Sequence, residues 1–284
     1  MLPLSDSQIG ADLQLAIERN ELALAYQPKI HLHNGEVAGV EALLRWHHPL
    51  LGAVDTASFV SVAERFGLID SLTEWVLDNV LRQWRSWSDQ GLRMNIAFNI
   101  SALSLRDMYL PDYLQRCCQR EGVPTGNITV EVTESATQHV VRLLDTLTRI
   151  RLKGMNLALD DFGTGYSSLL QLRQLPYSEL KIDRCFVRDA PASAEACVIV
   201  RAIVDLARGL GLRSTAEGVE TVQTLNFLNE IGCDQAQGFL IARPMEGPAL
   251  ANWILKCAPQ WRARCGDARQ HLRLISTDEL EAAH

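Results

Sequence analysis

This chain of 284 residues has no C-x-x-C pair, no surplus of positive charge and no long apolar run. Its seven cysteines (Cys117, Cys118, Cys185, Cys197, Cys233, Cys257 and Cys265) are scattered and odd in number, which argues against a disulfide framework and a structural zinc site. They read as reduced, mostly buried small apolar residues. His47 and His48 lack a Cys or His partner at ligand spacing and read as loop residues. A formal charge of −7 disfavours attachment to nucleic-acid backbones, which needs basic surface to displace counterions. The stretch from Val198 to Leu206 is interrupted by Arg201 and Asp205, far short of the roughly 20 apolar residues of a membrane span. Met1 to Ala11 carries no basic start followed by an apolar run, so no signal peptide is expected. There is no G-x-S-x-G, no internal repeat and no Pro/Ser-rich linker. A soluble cytoplasmic protein with no DNA partner and no membrane segment is the expectation.

What is present suffices for a large core: 47% of residues are hydrophobic and 21% charged, and one α/β barrel of roughly 250 residues would absorb nearly all of the chain. A helix is predicted from Gln8 to Asn20. Leu24 to Ile30 reads as a strand, His33-Asn34-Gly35 as a tight turn and Val37 to Trp46 as the partner strand. So short a connection makes these two antiparallel. Helices are predicted from Thr56 to Phe66 and Ser71 to Gln90. There Trp75, Trp84 and Trp87 recur near helical spacing, as packing residues do. Strands then alternate with helices: Asn95 to Ile100, helix Leu105 to Glu121, Ile128 to Val132, helix Thr137 to Lys153, and Met155 to Asp160. After a glycine-containing loop follow a short helix Leu169 to Gln174, strand Glu179 to Ile182, helix Ala194 to Gly209 and strand Arg213 to Ala216. Helix Val222 to Ile231, strand Gln235 to Gly238 and helix Pro248 to Cys257 complete the pattern. The expected fold is α/β, a modified TIM-like (β/α)₈ barrel with an antiparallel first strand. Residues 1–258 would form this single barrel, and 259–284 a peripheral helix or tail.

Polar residues cluster where the apolar runs close: Glu41, Asn99, Glu131 with Glu134, Asp160-Asp161, Lys181 with Asp183, Glu217 with Glu220, and Gln237. Parallel strands would deliver them to one rim, and adjacent carboxylates such as Asp160 and Asp161 repel unless a cation lies between them. Oxygen donors suit hard ions, Mg²⁺ or Mn²⁺, better than zinc or copper. Any one acid alone is as well explained as a solvated loop residue; a series of such clusters at successive strand ends is not. Lys181 could orient a nucleophilic water or neutralise charge on phosphorus, or be a rim lysine. Arg45 has the fork geometry for phosphate oxygens, or for an ion pair with a carboxylate. Phe162-Gly163-Thr164-Gly165-Tyr166 lacks the third glycine of a dinucleotide fingerprint; its glycines let the loop move or pass close to the acidic rim.

With these residues in hand, the chain resembles the EAL-domain cyclic-di-GMP phosphodiesterases from about Leu13 to Lys256. The motifs are Tyr26-Gln-Pro28, Glu41-Ala-Leu-Leu-Arg-Trp46, Asn99-Ile-Ser101, Glu131-Val-Thr-Glu-Ser135, Asp160-Asp-Phe-Gly-Thr-Gly-Tyr-Ser-Ser168, Leu180-Lys-Ile-Asp183, Ala216-Glu-Gly-Val-Glu220 and Gln237-Gly-Phe239 followed by Pro244. The resemblance implies two divalent metals, Mg²⁺ or Mn²⁺, with Ca²⁺ inhibitory. Glu41, Asn99, Glu131 and Asp160 would hold one; Asp160 and Asp161 the other, with Glu217 nearby. Lys181 would contact the attacking water, with Glu217 and Gln237 around it. Gln27, Leu43, Arg45, Asp183 and Pro244 would line cyclic di-GMP, and Glu134 and Glu220 would brace the loop Phe162 to Ser168. The implied reaction is in-line attack on one of the two phosphodiester bonds, giving linear pGpG. A homodimer and a sensor or receiver domain, in the same chain or another, are further implications. The alternative is a non-catalytic cyclic-di-GMP receptor or protein-interaction module on the same fold, against which intact Glu41, Lys181 and Glu217 argue.

Overall fold

A short turn at His33 to Gly35, closed by the Gly35 amide donating to the His31 carbonyl at 2.8 Å, folds β1 (Leu22–His31) back on β2 (Val37–His48) as an antiparallel hairpin. The computed structural model describes residues 5–134, 140–163, 169–262 and 265. From β2 onward the sheet grows by parallel neighbours: β4 (Asn95–Asn99), β5 (Ile128–Thr133), β6 (Asn156–Phe162), β7 (Glu179–Ile182), β8 (Arg213–Ala216) and β9 (Gln235–Gln237). β9 then pairs antiparallel with β1, closing an eight-strand barrel, while β3 (Gly52–Val54) extends β2 outside it. The (β/α)₈-like barrel with an antiparallel first strand is therefore the observed fold.

The barrel is built inside out relative to the usual arrangement, in which branched aliphatic side chains fill the interior. Successive strand residues point to opposite faces, so the register decides what shares the lumen. Gln27 pairs with Glu41, Asn99 with Glu131, Ala158 with Glu179, and Lys181 with Thr215, which pairs in turn across the next strand with Gln235. These one-face positions are polar and buried: Gln27, Lys29, Glu41, Thr129, Glu131, Asp160, Glu179, Lys181, Thr215, Gln235 and Gln237. The alternating positions, among them Val40, Ile96, Phe98, Val130, Leu157, Leu159, Leu180 and Ala236, join the main apolar cluster. The hydrophobic core is thus the shell between barrel and helices, and the lumen is free to be chemical.

That shell explains the helices, which among the described residues are, in chain order, α1 (Asp6–Glu18), α2 (Thr56–Arg65), α3 (Ile69–Asp89), α4 (Leu110–Glu121), α5 (Val140–Leu152), α6 (Leu169–Gln174), α7 (Arg184–Asp189), α8 (Ala194–Gly209), α9 (Val222–Glu230) and α10 (Gly247–Lys256). α3 (Ile69–Asp89) buries Leu72, Val76, Leu77, Val80, Leu81, Trp84 and Trp87 along one face. Its indoles are tied down: Trp84 donates to the Met94 carbonyl at 2.8 Å and Trp87 to that of Gly247 at 3.1 Å. The long helix predicted from Leu105 to Glu121 is instead a 3₁₀ turn, Ser104–Arg106, followed by α4 (Leu110–Glu121). Pro111 has no amide hydrogen to donate and favours the first turn of a helix, so the chain restarts there. His47 and His48, expected in a loop, end strand β2. The buried His48 ring accepts the Leu50 and Leu51 amides through Nδ1 and lies 3.1 Å from Asp12 through Nε2, which makes it a structural brace. The predicted helix start at Thr137 lies outside the described residues; the described part of that helix is Val140–Leu152. Trp261 and Cys265 are buried in the main cluster, so the segment after the last barrel helix begins against the core. None of the seven cysteines is in a disulfide. Among the described residues, no helix is long and apolar enough to cross a membrane.

Candidate active site

At the C-terminal ends of the parallel strands the chain gathers acids around one base. Lys181 Nζ, on fully buried β7, lies 2.7 Å from Glu217, 2.8 Å from Glu131, 3.1 Å from Asp160 and 3.4 Å from Glu41. These carboxylates come from β8's exit, β5, β6 and β2, so barrel closure and not sequence proximity assembles them. Two groups of acids have oxygens within 4.8 Å of one another: Glu41, Glu131 and Asp160, and Asp160, Asp161 and Glu217. Asp160 belongs to both.

The surrounding polar groups complete the picture. Asn99 Nδ2 donates to Glu41 Oε1 at 3.1 Å, and Gln237 Nε2 donates to Glu41 Oε2 at 2.7 Å and Gln27 Oε1 at 3.1 Å. Gln27 in turn donates to the Ala242 carbonyl at 3.0 Å. A cavity of about 590 Å³ opens above, with Gln27, Leu43, Arg45, Asp183, Glu220 and Pro244 in its walls beside the acids. All the predicted dinucleotide-lining residues therefore face one cavity. The Arg45 guanidinium donates to the Leu44 carbonyl at 2.8 Å. Of the predicted loop braces, buried Glu134 accepts the Gly163 amide at 2.9 Å, whereas exposed Glu220 lines the cavity. The loop residues 164–168 lie outside the described residues.

The electrostatics of this arrangement ask for cations. Burial pushes the Glu131 carboxyl well above the ordinary range, and Glu41 adds to it, while Lys181 and Lys29 oppose. Burial likewise raises Glu217 to about 8 against the pull of Lys181, and raises Asp161 to about 6 with help from Asp160 and Asp183. Glu41 goes the other way: burial opposes its ionisation, but Lys181 and the Gln237 hydrogen bond outweigh it. One ammonium cannot neutralise its four carboxylate neighbours, so some carry protons unless positive charge is supplied. Glu131 Oε1 and Gln237 Oε1 are buried acceptors with no hydrogen-bond partner, although the former is 3.5 Å from Lys29 Nζ. An all-oxygen donor set, unused buried lone pairs and surplus negative charge fit hard divalent ions.

Sequence reasoning passed over a second polar layer below the acids. Lys29, fully buried, donates to Glu179 Oε1 at 3.1 Å, and Thr215 Oγ1 donates to the same oxygen at 2.8 Å. Burial opposes ionisation of Glu179, but Lys29 and Arg213 outweigh it and hold its carboxyl near a pKa of about 2. The signal was in the alternation: Lys29 is two residues from Gln27, and Glu179 two from Lys181, so each shares its neighbour's face. Lys29→Met is expected to destabilise the fold by about 3–5 kcal/mol in denaturant titrations at neutral pH, because it leaves Glu179 buried without its main counter-charge. The deficit should narrow as pH falls below the ordinary carboxyl value of 4.5, where protonation discharges Glu179. A loss that is independent of pH would show that Lys29 matters for packing alone.

The EAL domain model matches residues 11–244. Among curated relatives, the bifunctional diguanylate cyclase/cyclic di-GMP phosphodiesterase MucR of Pseudomonas aeruginosa is 45% identical over 245 residues, 86% of this chain and 36% of its own length. The cyclic di-GMP phosphodiesterase PdeR of Escherichia coli is 40% identical over 246 residues, 86% of this chain and 37% of its length. The chain thus spans little more than a third of each. A solved structure of the MucR phosphodiesterase in complex with c-di-GMP superposes with a TM-score of 0.81 at 44% identity, covering 86% of this chain and 99% of that one. The EAL domain of Mycobacterium smegmatis DcpA gives 0.70 at 33% identity, covering 84% and 97%. With the family model spanning most of the barrel, the chain belongs to the EAL domain family.

Proposed function

We propose that this chain is a metal-dependent phosphodiesterase that hydrolyses cyclic di-GMP to linear pGpG in bacterial second-messenger signalling. The observation that carries the reading is Lys181 buried among Glu41, Glu131, Asp160 and Glu217 beneath the cavity. A module that only bound the nucleotide would gain nothing from burying four carboxylates around one ammonium, an arrangement that costs stability. The solved relative bound to c-di-GMP supports the choice of substrate.

In this reading Glu41, Asn99, Glu131 and Asp160 would hold one divalent ion, and Asp160 and Asp161 would hold a second with Glu217 beside it. Two such ions, Mg²⁺ or Mn²⁺, would supply polarisation of the phosphoryl oxygens and a lowered pKa for the attacking water. Lys181 and Glu217 orient the attacking water from the barrel axis, and Gln237 holds Glu41 in register. Lys181 also supplies a fixed positive charge as negative charge builds on the phosphoryl group. Gln27, Leu43, Arg45, Asp183 and Pro244 bind the dinucleotide and orient one phosphodiester for in-line attack. Glu134 and Glu220 brace the loop beyond Asp161. Residues 1–258 form the catalytic unit, and the segment that follows packs Trp261 and Cys265 against its core. The unit works in the cytoplasm as a homodimer, under a sensor or receiver domain in the same chain or another.

The test is incubation of the purified protein with cyclic di-GMP and chromatography of the products. Linear pGpG is expected with Mn²⁺ or Mg²⁺. None is expected in EDTA or in Ca²⁺, whose larger radius and looser coordination misplace the reacting groups while still filling oxygen sites. Equal turnover in EDTA would overturn the metal-dependent mechanism, and binding without turnover in Mn²⁺ would favour the receptor alternative.

A further inference from the structure

Asp161 stands in a left-handed backbone conformation, φ 56°, which among the described non-glycine residues only Asn20 shares. The strand around it is irregular. Between the pairs Leu159 to Leu180 and Phe162 to Ile182, β6 carries one residue more than β7, a bulge that turns the Asp160 and Asp161 side chains toward the rim. A strained residue of this kind persists only where its surroundings over-determine it, because relaxation would otherwise win by a factor of about ten or more. Two restraints are evident. Glu134 accepts the Gly163 amide from β5's end at 2.9 Å, and the Asp161 amide donates to Asp160 Oδ1 at 3.0 Å.

A third comes from a helix that sequence periodicity did not reveal. α7 (Arg184–Asp189) is only six residues long and starts on Asp183, whose side chain accepts the Cys185 amide at 2.8 Å. Val187 anchors it in the core with no exposure, which leaves half-buried Phe186 turned to the neighbouring strand end. There it meets Gly163. A Cβ on Gly163 would lie 2.8 Å from the Phe186 ring, and Gly163 itself has φ 100°. The ring therefore occupies the space a side chain would need, directly behind the turn that carries Asp161.

We propose that Phe186 is a positioning residue: packed on the bare face of Gly163, it holds the turn from Asp161 to Gly163 in the left-handed form that keeps Asp161 beside Asp160 and Glu217. It is not among the residues that line the cavity, and it acts through Asp161. Glycine is required at 163 twice over, because its φ of 100° strains any other residue and because the ring approaches this closely. The inference rests on the reading of Asp161 as a divalent-ion ligand, so its test measures the ion directly.

The experiment is calorimetric Mn²⁺ titration of the full chain without nucleotide, for wild type, Phe186→Ala, Phe186→Leu, Gly163→Ala and the double variant Gly163→Ala/Phe186→Ala. Melting temperatures and the Mn²⁺ dependence of cyclic di-GMP hydrolysis are recorded in parallel. Phe186→Ala is expected to weaken the weaker of two Mn²⁺ sites by about tenfold while the tighter site stays within about twofold, because only one of the two acid groups depends on Asp161. Phe186→Leu, which keeps apolar bulk, should restore most of the loss even if Phe186→Ala melts early. Gly163→Ala should weaken the same site, and the double variant should lose less than the sum of the two single losses, since removing the ring removes the clash and leaves only the strain of a side chain at φ 100°. Excess Mn²⁺ should return turnover in Phe186→Ala to near wild type. Superimposable Mn²⁺ isotherms for wild type and Phe186→Ala, equal weakening of both sites, or additive effects in the double variant would overturn the inference. A wild-type protein that binds no Mn²⁺ would instead overturn the metal-site reading itself.

Discussion

Asp160→Ala is expected to abolish hydrolysis of cyclic di-GMP, with a loss of at least about 10³-fold that excess Mn²⁺ does not repair. Asp160 alone belongs to both groups of acids, so its loss damages both proposed ion sites at once. Asp161→Ala, which touches one group, should lose less and respond to added Mn²⁺. Stability should move the opposite way from activity. Without metal, Asp160 is one of four carboxylates sharing the Lys181 ammonium, and it raises the pKa of Glu131 and Glu217. Removing it relieves repulsion, so the metal-free variant should melt no lower than wild type. Initial rates across Mn²⁺ concentrations and melting curves in EDTA check both halves. Activity near wild type would show that Asp160 is not a ligand, and a large drop in melting temperature would make it a structural residue.

Lys181→Met is expected to lower kcat by orders of magnitude while cyclic di-GMP affinity, measured calorimetrically in Ca²⁺, stays within a few-fold. A group acting on the attacking water and on developing charge contributes to the transition state rather than to ground-state binding. The structure adds a consequence that the motif alone does not contain. Lys181 is the central counter-charge of Glu41, Glu131, Asp160 and Glu217, and it is fully buried, with burial opposing its charge and those four carboxylates outweighing that cost. Without it the metal-free protein should lose about 3–5 kcal/mol, as when one partner of a buried ion pair is removed. Divalent ions replace the missing charge, so Mn²⁺ should raise the melting temperature of Lys181→Met by more than that of wild type. An equal Mn²⁺ shift in the two proteins would mean that lysine and metal do not neutralise the same carboxylates. A large loss of nucleotide affinity would reassign Lys181 to substrate binding.

Much of the barrel was readable locally. Helix faces such as Leu72, Val76, Leu77 and Val80 repeat at three and four residues, and the His33 to Gly35 turn forces its flanking strands antiparallel. The acids at strand ends were readable too, since each closes an apolar run. Two short elements escaped, β3 of three residues and α7 of six, because neither has before it a glycine-containing loop of the kind that marks off the helix Leu169–Gln174, which is as short as α7. The break between the 3₁₀ turn and α4 hinged on Pro111, whose effect a continuous apolar period masks.

The sequence by itself determined which residues carry chemistry and that they lie at successive strand ends, because alternation along a strand and the closing of an apolar run are properties of neighbouring residues. Only the tertiary structure decided which of them meet. Gln237 reaches Gln27 across 210 residues, Lys181 reaches Glu41 across 140, and both contacts exist because the last strand pairs with the first. Closure and register are non-local, and a shift of one residue would turn every lumen side chain outward. The same pairing sets Lys29 beneath Glu131 and Glu179, and the packing of α7 sets Phe186 against Gly163, neither of which any stretch of sequence contains.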